Sequence, residues 1–182
     1  MVATPALRRW LWVAAALVAS SSLIMLALTG RRPEPGLARF EAAGVMLAIP
    51  VGAVTVVDVR AAEGHWRFER TDGGWRVASG SAPPSSGFGT NIDAGLRFLH
   101  VSAPQRRLAA AELETTFLAD FGLDPPRYVI AVQASDARTL SVAFGVANPQ
   151  GLAQYAQVGS ESDVILLPRY VGEAWEAATG LK

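Results

Sequence analysis

The chain has 182 residues, of which 51% are apolar and 18% are charged. This composition excludes an intrinsically disordered chain, which combines low hydrophobicity with high net charge. The absence of cysteine excludes thiol catalysis, disulfides and cysteine-ligated metal clusters. The 16 basic and 16 acidic residues balance, so the chain lacks the positive charge that favours nucleic-acid binding.

The N-terminal segment carries the strongest pattern in the sequence. No charged residue occurs in residues 10–28, and pairs of arginines flank this run at positions 8–9 and 31–32. A helix of about 20 apolar residues is long enough to cross a bilayer. The pattern predicts an N-terminal transmembrane anchor over residues 1–30 that contacts the membrane through residues 10–28. A cleaved signal peptide and a buried soluble helix are the alternatives.

A proline-containing linker at residues 31–39 separates this anchor from a predicted domain at residues 40–182. Arginines flank both ends of the apolar run, but the short basic tail before it favours a cytoplasmic N-terminus. The sequence therefore predicts a single-pass protein of the bacterial inner membrane, with its C-terminal domain in the periplasm. Beyond residue 32 the chain has 12 basic and 16 acidic residues, which disfavours binding to DNA or to anionic lipid surfaces.

The sequence predicts that the first half of the domain forms strands. Residues 54–60 are rich in β-branched side chains and predict a strand, and residues 45–49 suggest a shorter strand before it. Residues 65–70 alternate, with Trp66 and Phe68 on one face. Because Asp72-Gly73-Gly74 is a strong turn signal, this strand is expected to continue as a hairpin through Trp75.

The second half combines helices and strands. Ile92, Leu96 and Leu99 have the spacing of one helix face, with Thr90 or Asn91 as the N-cap, and residues 109–121 predict a second helix that ends at Gly122. Strands are predicted at 128–133, 139–144, 153–158 and 164–167, and a closing helix at 171–178. This order predicts an α+β fold, an antiparallel-sheet domain with two to three helices packed on it.

The order of these elements also carries a resemblance. It includes the hairpin with Gly74-Trp75-Arg76-Val77, the run Phe121-Gly122-Leu123-Asp124-Pro125-Pro126, and the strands at 154–158 and 164–167. Over residues 45–180 the chain resembles a domain-of-unknown-function family of membrane-anchored bacterial envelope proteins, often found with gliding-type ABC transporters. The resemblance implies one N-terminal membrane helix and an extracytoplasmic α+β region. It transfers no catalytic residue, and the chain has one copy of a pattern that is often repeated in longer members.

The sequence contains no recognisable catalytic constellation. It has no nucleophile elbow, phosphate-binding loop or dinucleotide-binding motif. The two histidines, His65 and His100, lie on different predicted elements, so neither a metal site nor a cofactor is predicted. The chain is therefore predicted not to be an enzyme.

Two sets of residues are candidates for contacts. Arg106 and Arg107 could bind an acidic envelope partner, or could be solvated surface residues. Trp66, Trp75 and Tyr155 could form a ligand platform, or could be the inward face of a sheet. The leading prediction is an accessory or scaffold subunit that acts through protein–protein contacts, with transporter subunits as the partner class that the resemblance implies. The alternative is a glycan- or lipid-binding module on the same anchor.

Overall fold

The computed structural model describes residue 10 and residues 16–25, 43–80, 84–113 and 117–181. The chain separates into two units, residues 1–41 and 42–182. In the first unit, residues 16–25 are helical. Within the described ranges, no helix is both long enough and apolar enough to cross a membrane. The remainder of the predicted anchor and the predicted linker at 31–39 lie outside the described residues.

The second unit is an α+β domain, as predicted. Its described part contains an antiparallel sheet of eight strands in the order β3-β2-β1-β5-β6-β7-β8-β4. The strands are β1 Val54–Ala61, β2 Gly64–Thr71, β3 Gly74–Gly80, β4 Arg106–Leu108, β5 Tyr128–Ala134, β6 Thr139–Ala147, β7 Ala153–Val158 and β8 Val164–Pro168. The helices are α1 Phe88–Val101 and α2 Arg169–Thr179, and short 3-10 helices form at Val51–Ala53, Ala110–Leu113 and Leu118–Phe121.

Alternation along the strands gives the sheet two different faces. Val59 of β1 lies opposite Trp66 of β2 on one side and Ile130 of β5 on the other. All three side chains are buried in one core cluster, which also contains the apolar residues of α1 and α2. We call this the inner face of the sheet. Residues of opposite parity, such as Asp58 and Arg67, lie on the outer face.

The predicted helix at 109–121 is wrong. The structure has a 3-10 helix at Ala110–Leu113 and another at Leu118–Phe121, and residues 114–116 lie outside the described residues. Phe117 has an extended backbone (φ −82°, ψ 145°), so one helix cannot run through it. Its N–H donates to Asp120 Oδ2 at 3.3 Å, which starts the second 3-10 turn anew. Gly122 then ends that turn in the predicted left-handed conformation (φ 65°).

Two smaller expectations also differ from the structure. Residues 45–49 form turns rather than a strand, because Met46 N–H donates to Leu99 O of α1 and Ile49 N–H returns to Met46 O. Helix α1 begins at Phe88, after Gly87 in a left-handed conformation, and not after an N-cap at Thr90 or Asn91. The first change arises from packing of residues 45–49 against α1, and before the second Ser85 N–H donates to Ala178 O of α2. A local pattern does not contain either contact.

Candidate functional site

An open groove lies between the 3-10 helices Ala110–Leu113 and Leu118–Phe121, beside Gln157 of β7. Its volume is about 560 Å3, and we call it the 3-10 groove. Apolar side chains dominate the lining, and three polar residues complete it: Ala110, Leu113, Phe117, Leu118, Ala119, Asp124, Gln157 and Ser162. The groove therefore combines an apolar surface with a few hydrogen-bonding groups.

Phe117 is the most unusual side chain of this groove. It is 77% exposed, although most large apolar residues of the domain are buried. The extended backbone at this residue sets it apart from the 3-10 turn that follows. An exposed aromatic ring beside an apolar groove is typical of a binding surface, because leaving it in water costs free energy that a partner can recover.

Close packing holds the 3-10 helix Leu118–Phe121 against the sheet. The rings of Phe121 and Tyr155 lie 4.7 Å apart. A Cβ atom at Gly145 of β6 would lie 2.0 Å from the carbonyl oxygen of Phe121, so only glycine permits this approach. One wall of the 3-10 groove is therefore part of the folded sheet and is formed in advance of any binding.

Arg106 and Arg107, which the sequence suggests as one contact site, have different surroundings in the structure. Arg107 Nη1 donates to Glu161 Oε2 at 3.0 Å and to Asp163 Oδ2 at 3.3 Å. The hydrogen bond to Glu161 is the larger cause, and the hydrogen bond to Asp163 the next, by which the pKa of the Arg107 guanidinium is raised above its ordinary value. Arg106 is exposed on β4 and has no ion pair within the described ranges. Of the pair, Arg106 is the one whose charge remains available to a partner.

The structure does not bring the three predicted platform residues together. Trp66 is buried at 2% exposure in the core. Trp75 lies against α1, where its Nε1 donates to Asp93 Oδ1 at 2.9 Å. Tyr155 lies on the outer face and contacts Phe121, far along the sheet from β2 and β3. Trp66, Trp75 and Tyr155 therefore pack at three separate places and do not form one platform.

A second polar arrangement, which the sequence analysis missed, occupies the outer face over β1 and β2. Asp58 is only 7% exposed, although it lies on the face without α-helices. Its Oδ1 accepts from Arg60 Nε at 3.0 Å and lies 3.1 Å from His65 Nε2, and its Oδ2 accepts from Arg67 Nη1 at 3.5 Å. We call these four residues the outer-face cluster. An acidic residue between Val57 and Val59, in a strand rich in valine, is the sequence signal that could have revealed it.

A buried polar network fastens α2 to the sheet. Arg169 Nη1 donates to Gln154 Oε1 at 2.9 Å, and Gln154 Nε2 donates to Gly145 O at 2.9 Å. Arg169 Nη2 also donates to Glu176 Oε2 at 2.5 Å. Tyr128 donates to Gly172 O at 3.2 Å, and burial, followed by the charge of Glu176, raises the pKa of its hydroxyl. Most of these groups satisfy one another, which is typical of a structural role. Glu176 Oε1 is buried without a hydrogen bond in the described part of the chain and lies 3.7 Å from Arg127 Nη1.

The described residues contain no group of three or more histidines and carboxylates placed to hold a metal ion. Comparison of the chain with models of protein families, with curated proteins and with solved structures finds no match.

Proposed function

We propose that the chain is a membrane-anchored extracytoplasmic accessory or scaffold subunit that binds a protein partner in the 3-10 groove. The observation that carries the proposal is the exposed Phe117 ring at an apolar groove on an otherwise well-packed domain. Aromatic anchors of this kind contribute a large share of binding energy at protein interfaces.

The lining of the groove favours a polypeptide as the occupant. Leu113, Leu118 and Phe117 offer apolar contacts, and Gln157 and Ser162 offer hydrogen bonds at the same surface. Arg106 of the neighbouring strand β4 adds one exposed positive charge. An apolar core with a polar and charged rim is the usual composition of a protein interface. The partner segment is expected to insert one or two apolar side chains and to present an acidic residue to Arg106.

The anchor and the location are part of the same proposal. The uncharged run at 10–28 and its arginine flanks support a single-pass inner-membrane protein with the second unit in the periplasm. The family resemblance supports an envelope partner, with ABC-type transporter subunits as the class to test first. Reporter fusions after residue 181 test the orientation. A periplasm-specific reporter should be active there, and activity of a cytoplasm-specific reporter would contradict the proposal.

A glycan- or lipid-binding module on the same anchor is the second candidate. The volume of the groove, about 560 Å3, supports it, because small-molecule sites commonly measure about 300–1,000 Å3. Asp124, Gln157 and Ser162 could orient a small ligand by hydrogen bonds. Both candidates use the same groove, so they differ in the occupant and not in the site.

Purification of the full chain from membranes distinguishes the two. Phe117→Ser should remove a reproducibly co-purifying envelope protein, whereas Leu152→Ser should retain it. Leu152 is a matched control, because it is 71% exposed but does not line the groove. If no protein depends on Phe117 and a bound glycan or lipid does, the second candidate replaces the first.

A further inference from the structure

We propose that the outer-face cluster is a binding site for a phosphate group. This inference does not rest on the proposed protein contact, because the cluster lies over β1 and β2 and the 3-10 groove lies beside β4 and β7. The ligand chemistry is an oxyanion with at least three accepting oxygens, supplied either by free phosphate or by a lipid headgroup.

Charge is the first argument. The cluster holds the guanidinium groups of Arg60 and Arg67 against one carboxylate, so a net positive charge remains even when His65 is neutral. Glu69, an acid on the outer face of β2, forms an ion pair with Arg76 of β3. Glu63 lies exposed in the turn between β1 and β2. Cationic side chains held this close repel one another, and a bound anion would offset that repulsion.

Preorganisation is the second argument. Asp58 is nearly buried, and it fixes the other three side chains by bonds of 3.0 to 3.5 Å. The remaining guanidinium donors are accessible, since the side chains of Arg60 and Arg67 are 73% and 40% exposed. A guanidinium has five donors, and the bonds to Asp58 use one from each arginine. In this site Asp58 is a positioning residue.

The neighbouring residues of the outer face are small. The register places Ser79, Arg67, Asp58, Ala131 and Ser141 in one row across the outer face. The residues on both sides of the arginine and aspartate in this row therefore have small side chains. Two arginine forks suit the several oxygens of phosphate, whereas a single carboxylate would be satisfied by one fork.

The histidine ring signals of the full chain in detergent micelles provide the test. His65 belongs to the cluster, and His100 is an internal control, because its Nδ1 lies 3.2 Å from Met46 O on a different element. A His65→Gln variant assigns the signals. Inorganic phosphate should shift the His65 signal saturably and leave the His100 signal in place. Arg60→Gln and Arg67→Gln should each weaken phosphate binding by about tenfold, and Arg97→Gln, an exposed charge on α1, should not.

Further probes distinguish free phosphate from a lipid headgroup, and distinguish both from chloride and from an acidic peptide. If inorganic phosphate or a short-chain phosphatidic acid shifts His65 with this dependence on arginine, the proposal stands, and the stronger of the two names the source. It is overturned if chloride at the same ionic strength gives the same shift. It is also overturned if an acidic peptide shifts His65 while both phosphate probes fail, or if neither arginine variant changes phosphate binding.

Discussion

Gly95 of α1 and Trp175 of α2 are in direct contact, with no space for a side chain between them. A Cβ atom at residue 95 would lie 2.6 Å from Trp175 Cε2. Trp175 is fully buried, so its ring cannot move into solvent. The contact between the two α-helices at this point therefore depends on a glycine that faces the largest buried side chain of the described core.

Gly95→Ala is expected to destabilise the domain by about 1–2 kcal/mol. The overpacking cost of about 1–3 kcal/mol exceeds the gain of up to about 1 kcal/mol in helix propensity. Gly89→Ala in the same helix is the matched control, because its Cβ would meet Trp75 at an ordinary distance of 3.7 Å. Chemical unfolding of the full chain in micelles measures both, and equal stabilities of the two variants would contradict this packing.

Gly122→Ala is expected to cost about 2 kcal/mol or more. The left-handed conformation penalises any Cβ by about 1–2 kcal/mol, and here the new atom would also lie 2.7 Å from Val146 Cγ1. Gly151→Ala separates the two effects, since Gly151 has φ +72° and an added Cβ there would have nothing within 4 Å. The midpoint of thermal unfolding should fall further for residue 122 than for residue 151. Equal losses would mean that conformation, and not packing on β6, decides the cost.

The stability of the domain is expected to fall at high pH because of Tyr128. Burial raises the pKa of its hydroxyl above the ordinary value of 10.0, so the folded state keeps a proton that the unfolded state loses. The contribution of the protonated Tyr128 hydroxyl to the free energy of unfolding is fully present below pH 10. It decreases by up to about 1.4 kcal/mol per pH unit above pH 10. Tyr128→Phe should flatten this slope, as measured by denaturant unfolding between pH 9 and pH 12. Tyr170→Phe, which removes the hydroxyl of a half-exposed tyrosine, is the matched control variant.

The strands were predictable because alternation and turn residues are local properties. The hairpin of β2 and β3 and the four strands after Pro126 follow directly from period-two patterns bounded by glycine, proline and asparagine. The helix at 109–121 was wrong because Leu113, Phe117 and Phe121 have helical spacing without sharing a buried face. Phe117 is exposed instead, while Phe121 contacts Tyr155.

The candidate site was less predictable than the fold. The 3-10 groove is lined by side chains from the 3-10 helices Ala110–Leu113 and Leu118–Phe121, from β7 and from the turn before β8. No local sequence pattern predicts which of these side chains lie close together. Strand β4 has three residues, too few for an alternation signal, yet its pairing with β8 determines where Arg106 lies. The ion pairs of Arg107 depend on the distant turn at residues 161–163.

Arg106 and Arg107 are expected to respond differently to truncation. Arg106→Ala should weaken partner binding by about tenfold without changing stability, because an exposed interface arginine acts mainly on association. Arg107→Ala should lower stability by no more than about 1 kcal/mol, since its ion pairs with Glu161 and Asp163 are half-exposed. Co-purification yield and thermal unfolding measure the two effects. A stability loss larger for residue 106 than for residue 107 would contradict these assignments.

The central claim is that the 3-10 groove, through Phe117, contacts a protein partner, and site-specific photo-crosslinking in the membrane tests it most directly. A photoreactive phenylalanine analogue at position 117 should yield one adduct of defined mass. The same analogue at position 152, an equally exposed control, should not yield that adduct. Arg106→Ala should reduce the adduct formed from position 117. The account is contradicted if position 117 yields no protein adduct, or if both positions yield the same set of adducts.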